Sequence, residues 1–286
     1  MKLLPALKRA ADMKMPVHME RTQQRWRNPR NARRGAEGDW VPPVYWNSQS
    51  FEPDLAAMEK HHCVCFMEDA PALDFYKVLR VQIMRVAKAK GWKVIMVTSA
   101  TPGEGKTVTT INLAMTFAKA YNQTVLLIDC DLRQQKVYRY MGIPGDLGII
   151  DYLVEGCPLH EMIVWPRIEK MTVISGGRTV NESAELLGSP KMRALIQEMK
   201  TRYADRYILL DAPPVLSGAD ALTLSSLVDG IVMVVEAGRT PLREIQEALA
   251  LMPKEKFLGF VLNKHRGEKN RYYPYCGYAA KGRQCR

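Results

Sequence analysis

Six short runs of almost unbroken apolar residues constrain the fold of this chain more than any other feature. They read "KVIMVTS" (93–99), "TVLLID" (124–129), "MTVIS" (171–175), "RYILLDA" (206–212), "GIVMVVEAG" (230–238) and "FLGFVLNK" (257–264). A strand that is apolar on both faces needs cover on both faces, which is the environment of a parallel sheet between helices. Helical patterns fill the gaps. In "ALDFYKVLRVQIMRVAKA" (72–89), Leu73, Tyr76, Leu79, Ile83 and Val86 recur at three and four; "KTVTTINLAMTFAKAY" (106–121), "ELLGSPKMRALIQEMKTRY" (185–203), "ADALTLSSL" (219–227) and "LREIQEALALM" (242–252) read likewise. The expected class is α/β, with a mostly parallel central sheet, helices on both faces, and ligands beyond the carboxyl ends of the strands.

The 286 residues, 47% hydrophobic, are enough for one substantial core with extensions. Residues 1–68 are rich in Arg, Asn and Pro without a sustained period, as in "RTQQRWRNPRNARRGAEGDWVPPVYWNSQSFEP", and read as a basic irregular extension that does not carry the fold. The core domain is expected over residues 69–265, and residues 266–286 form a basic, tyrosine-rich tail. Charge follows the same division. The net +11 divides into +8 over residues 1–34, +7 over 254–286 and −4 over the remainder. Basic ends suit an anionic membrane surface, an acidic partner or nucleic acid, or are solvated arms. No apolar run reaches the roughly 18 residues of a membrane span, and no secretion signal is evident. Six cysteines without disulfide-framework spacing suit a reducing cytoplasm.

"VIMVTSATPGEGKTVTTINLA" is the strongest signal of chemistry. A strand, a Gly-rich turn and a new helix form a phosphate cradle: Gly103 and Gly105 admit phosphate oxygens close to the backbone, and the helix presents its N-terminal dipole. Lys106 then meets the β- and γ-phosphates and Thr107 supplies a hydroxyl for Mg²⁺. The cradle runs from Thr101 and Pro102 through Gly103, Glu104 and Gly105 to Lys106, Thr107 and Val108. The strict pattern wants Gly where Ala100 stands. Two strand ends supply carboxylates for metal and nucleophile: Asp129 and Asp131 in "VLLIDCDLR", and Asp211 in "YILLDAPP". Arg133 is placed to reach phosphate with a planar fork, or is a surface arginine. His61, His62, Cys63 and Cys65 in "HHCVC" lack the second ligand pair of a structural zinc site, and Cys130 reads as a packing residue.

These motifs resemble the Walker A, Walker A′ and Walker B motifs of the bacterial tyrosine kinases (BY-kinases), the autokinases of capsule and exopolysaccharide assembly. The resemblance spans roughly residues 70–265; "SAELLGSPKM" is similar to the exosortase-associated branch. It implies a P-loop fold related to the cell-division and partition ATPases, ATP with Mg²⁺, and tyrosine as phosphoryl acceptor. It assigns Lys106 and Thr107 to phosphate and metal, Asp129 and Asp131 to the Walker A′ acids with Asp129 as the expected base, and Asp211 to Walker B. Asn263 is placed where related folds contact adenine. The ring-forming motif E-x-x-R-x-x-R corresponds to "DFYKVLR", with Asp74, Lys77 and Arg80. Lys77 cannot reproduce a bidentate guanidinium. Implied partners are a separate membrane-spanning chain-length regulator, further copies in a ring and a cognate tyrosine phosphatase, at the cytoplasmic face of the membrane.

The tail "RYYPYCGYAAKGRQCR" places Tyr272, Tyr273, Tyr275 and Tyr278 within seven residues, as expected of a phosphoacceptor cluster. Each phosphate adds about −1.5 to −2 charges, so a few would cancel most of the local positive charge and loosen assembly. The rival reading is a nucleotide-switched positioning ATPase of the partition or septum-placement type. Its second P-loop lysine is missing from "SATPG". A nucleic-acid-binding ATPase working through the basic ends is a third reading, and no specific nucleic-acid motif supports it.

Overall fold

The computed structural model describes residues 48–180 and 182–265. Its frame is an eight-stranded sheet of β1 (Gln49–Ser50), β2 (Val94–Ser99), β3 (Thr124–Asp129), β4 (Ile163–Trp165), β5 (Met171–Ile174), β6 (Arg206–Asp211), β7 (Gly230–Glu236) and β8 (Phe257–Asn263). The spatial order is β1-β4-β5-β3-β6-β2-β7-β8. All neighbours are parallel except β4 and β5. The helices are α1 (Leu55–Lys60), α2 (Leu73–Lys90), α3 (Lys106–Ala118), α4 (Val137–Met141), α5 (Ile149–Glu155), α6 (Leu159–Met162), α7 (Ser183–Leu187), α8 (Pro190–Arg202), α9 (Asp220–Ser225) and α10 (Leu242–Leu251).

The six apolar runs form the strands expected of them; side chains of the inner strands alternate between two covered faces, whereas edge strand β8 leaves Phe260 and Leu262 exposed. Met96, Leu126, Ile128, Ile208, Leu210 and Met233 point into a core shared with α8 and α9, through Leu195 and Leu224. Ile95, Val97, Val125, Leu127, Leu209 and Val234 point into one shared with α2 and α3, through Ile83 and Phe117. Side chains from β2, β3 and β6 are buried throughout.

The pattern "ELLGSPKMRALIQEMKTRY" is not one helix. It breaks at Gly188 between α7 and α8. Ser189 is extended, its hydroxyl accepts the Met192 amide, and Pro190 occupies the first helical position. Cap and proline together start a new helix where periodicity alone reads straight through.

Composition assigned residues 48–68 to the irregular extension, yet they pack on the domain. β1 pairs with β4, and the Asp54 carboxylate caps α1 by accepting the Ala56 and Ala57 amides. Met58, Cys63 and Cys65 are fully buried. A two-residue strand and a six-residue helix are too short to show a period. Asn112 of α3 fastens this segment: its Oδ1 accepts the amides of Val64 (2.8 Å) and Cys65 (3.0 Å), and its Nδ2 donates to the His62 carbonyl (2.8 Å). Within "HHCVC", Cys63 and Cys65 thus serve packing. No helix among them is long and apolar enough to cross a membrane.

Asn112→Ala leaves two inward-facing amides without an acceptor and is expected to lower stability by about 2–3 kcal/mol, measured by urea unfolding. An unchanged midpoint would show that the segment contributes nothing to the fold.

Candidate functional site

The strand order brings the site together. β6 lies between β3 and β2, so the carboxyl ends of three adjacent strands deliver Asp129, Asp211 and the loop after Ser99. Asp129 and Asp211 are in register across the β3–β6 ladder. Loop 100–105 then turns into α3 through two residues with positive φ, Gly103 at +88° and Gly105 at +95°. A Cβ on Gly105 would also lie 2.1 Å from Asn263 Nδ2. Ala100, where the strict motif has Gly, is fully buried in the core, so its methyl group packs away from the cradle.

Lys106 is the electrostatic centre. Its ammonium lies 2.6 Å from Asp131 Oδ2 and 3.7 Å from Asp211 Oδ2, with all three side chains almost entirely buried. Burial alone would lower the lysine pKa, but the carboxylates of Asp211 and Asp131 outweigh it and hold the ammonium charged. The Thr107 hydroxyl donates to Asp211 Oδ2 at 2.7 Å, and the Thr110 hydroxyl to the Lys106 carbonyl at 2.7 Å. Asp129 accepts the amides of Asp131 (3.1 Å) and Val137 (3.0 Å), which fix its orientation. Its pKa is pushed up to about 8 by burial, then by the charge of Asp211. Asp211 is raised too, foremost by burial. Between them, Cys130 is fully buried and its thiol is held well above its usual range by burial and the flanking carboxylates, as befits a packing residue.

A cavity of about 260 Å³ at this cluster is lined by Pro102, Gly103, Gly105, Thr107 and Val108 of the loop and α3. Basic and aromatic side chains complete its wall: Lys60, His61, Lys136 and Tyr140. The His61 and Tyr140 rings stack with centroids 4.1 Å apart. Sequence reasoning missed this wall because α1 and α4 are remote in sequence and carry no motif. Three carboxylates around one ammonium leave excess buried negative charge, and the donor set of Thr107 hydroxyl and carboxylate oxygens suits a hard divalent cation such as Mg²⁺. The positive-φ glycines and the start of a thirteen-residue helix suit phosphate.

Two expected site residues point elsewhere. Arg133 lies outside the cavity wall, its Nε 3.2 Å from Ser183 Oγ and 3.3 Å from the buried Asp220 carboxylate. Asn263 donates through Nδ2 to the Glu104 carbonyl at 2.8 Å, closing onto the phosphate loop itself. On α2, Asp74 and Lys77 pair with each other at 3.0 Å, while Arg80 turns inward and donates to the Thr116 carbonyl. Tyr272, Tyr273, Tyr275 and Tyr278 lie outside the described residues.

The strand–loop–helix cradle with facing strand-end carboxylates defines a P-loop NTPase, and residues 92–252 match the family described as AAA domain. The tyrosine-protein kinase YwqD of Bacillus subtilis is 33% identical over 205 residues, covering 71% of this chain and 85% of that protein. The kinase domain of the Escherichia coli tyrosine kinase ETK superposes with a TM-score of 0.68 at 23% identity, covering 82% of this chain and 95% of that one. The cell-division ATPase MinD of Pyrococcus furiosus shares the fold with a TM-score of 0.51 at 24% identity, over 59% of this chain and 71% of its own. The chain belongs to the bacterial tyrosine-kinase family.

The raised Asp129 pKa sets a pH dependence. A carboxyl that keeps its proton more tightly when folded contributes stability fully present below its ordinary value of 3.8 and lost as pH rises toward 8. Metal-free wild type is therefore expected to lose melting temperature relative to Asp129→Asn between pH 5 and 8, followed by calorimetry. Parallel curves would contradict the assignment.

Proposed function

We propose that this chain is an ATP-dependent protein-tyrosine autokinase that modifies Tyr272, Tyr273, Tyr275 and Tyr278 of its own C-terminal cluster. The observation that carries the reading is the convergence of Lys106, Thr107 and three carboxylates at one phosphate cradle, in a chain that ends in clustered tyrosines. ATP is the phosphoryl donor, and Mg²⁺, when bound, supplies positive charge against the phosphates and carboxylates. Thr107 and Asp211 would hold the metal, together with the Walker A′ acids.

Lys106 faces the β- and γ-phosphates and stabilises the charge that develops as the γ-phosphoryl group is transferred. The backbone amides of Gly103–Val108 orient the triphosphate. A tyrosine hydroxyl attacks the γ-phosphorus, the bond to the β-phosphate oxygen breaks, and the phenolic proton passes to a Walker A′ acid. Asp129, the carboxyl with raised basicity and fixed orientation, is the proposed base. Asp131, already on Lys106, holds the ammonium and contributes to the metal site.

The activity belongs to regulation of exopolysaccharide or capsule polymerisation and export at the inner face of the membrane. A membrane-spanning chain-length regulator is the proposed activating partner, other copies of the chain the ring neighbours, and a tyrosine phosphatase the reversing enzyme. Asp74 and Lys77 are exposed on α2 and available to a neighbour; Arg80 reaches one only by leaving Thr116.

Incubated with Mg·ATP, the purified chain is expected to give a phosphotyrosine blot that Lys106→Met abolishes and that loss of Asp129 together with Asp131 abolishes equally. ATP hydrolysis without phosphotyrosine, even with the membrane partner present, would instead identify a nucleotide-switched positioning ATPase.

A further inference from the structure

The phosphate loop is held from outside by a set of contacts that the catalytic cluster does not explain. Glu104 belongs to the loop, yet the residue is only 2% exposed, and among the described residues its carboxylate forms no ion pair. Its Oε2 accepts the Thr101 amide at 2.8 Å, within the loop. Its Oε1 accepts the Glu236 amide at 3.3 Å, at the end of β7, and the Thr240 hydroxyl, in the turn after β7. A buried carboxylate next to a site for anionic phosphates is costly, and three neutral donors offset that cost only in this arrangement.

A second pair of contacts reaches the same loop from β8. Asn263 Nδ2 donates to the Glu104 carbonyl, and Lys264 Nζ donates to the Gly103 carbonyl at 2.7 Å while pairing with Glu236 at 2.9 Å. Lys264 has φ of +56°, a conformation that a non-glycine residue keeps only where its surroundings hold it. These contacts engage loop carbonyls, the Glu104 side chain and the Thr101 amide, and none of them engages the amides of Gly103–Val108. Lys264 also stands two residues before the segment that leads to the tyrosine cluster.

We propose that Glu104, Thr240 and Lys264 form a joint that sets the phosphate loop in its nucleotide-ready shape and couples it to the end of β8. Glu104 and Thr240 are positioning residues, acting through the loop, while Lys264 also lines the cavity. Coupling is reciprocal: a joint that favours nucleotide is itself tightened by nucleotide, so occupancy of the cradle and mobility at Asn263–Lys264 are linked. The inference rests on nucleotide binding at this cradle.

Thr240→Val is the informative variant, because Thr240 does not line the cavity and reaches the loop only through Glu104. In the full chain with Mg²⁺, a fluorescent ADP analogue is expected to bind about five- to tenfold more weakly to Thr240→Val and to Lys264→Met, with Lys264→Arg recovering most of the loss. In Thr240→Val the KM for ATP rises by the same factor, while kcat stays within about twofold. In wild type the analogue slows amide exchange at residues 257–264, and in Thr240→Val that protection is lost. Wild-type affinity and KM in Thr240→Val would overturn the joint, as would a fall in kcat alone. A wild-type chain that does not bind the analogue would remove the nucleotide reading itself.

Discussion

One ammonium among three buried carboxylates governs the architecture. Lys106 lies within ion-pair distance of Asp131 and Asp211, and Asp129 stands opposite Asp211 on the neighbouring strand. Charges of this kind, removed from water, persist only when geometry and hydrogen bonds are fixed by their surroundings. The surroundings are rigid for that reason: three central strands buried along their whole length, ending together, with threonine hydroxyls and backbone amides filling the remaining positions. The cluster is still short of positive charge. That shortage suits the cluster to a divalent cation, and the raised Asp129 pKa expresses the same imbalance in protons.

Much of this was legible because it is local in sequence. A strand, two glycines, a lysine and a helix occupy one continuous stretch, and Asp129, Asp131 and Asp211 close apolar runs whose parallel stacking forces their ends together. What was not legible depends on residues distant in the chain. Nothing around Glu104 announces that Thr240, 136 residues away, will bind its carboxylate, or that Lys264 will hold the neighbouring Gly103 carbonyl. Arg133 follows the motif that would send it to phosphate, but Ser183 and Asp220, from two other elements, offer its guanidinium a closer anchor. The break at Ser189 was locally encoded: a serine before a proline is a helix start, and periodicity masked it.

Departures from the family's patterns have separate physical explanations. Ala100 replaces a glycine without harm to the cradle because the position faces the core. Lys77 replaces an arginine on α2 and pairs with Asp74 on its own helix. Arg80, which keeps the family's residue type, is committed to the Thr116 carbonyl of α3. A surface that recruits a neighbour through this helix would therefore act directly on the element that begins with Lys106.

The Asn112 clip changes where the domain begins. Its side chain makes three hydrogen bonds to residues 62–65, from the middle of the helix that Lys106 opens. A recombinant fragment started at residue 69, where composition places the boundary, would leave that amide facing an emptied groove and would uncover the apolar surface under Met58, Cys63 and Cys65. The smallest fragment that retains this face of α3 begins at Gln49, with the strand that caps the sheet edge.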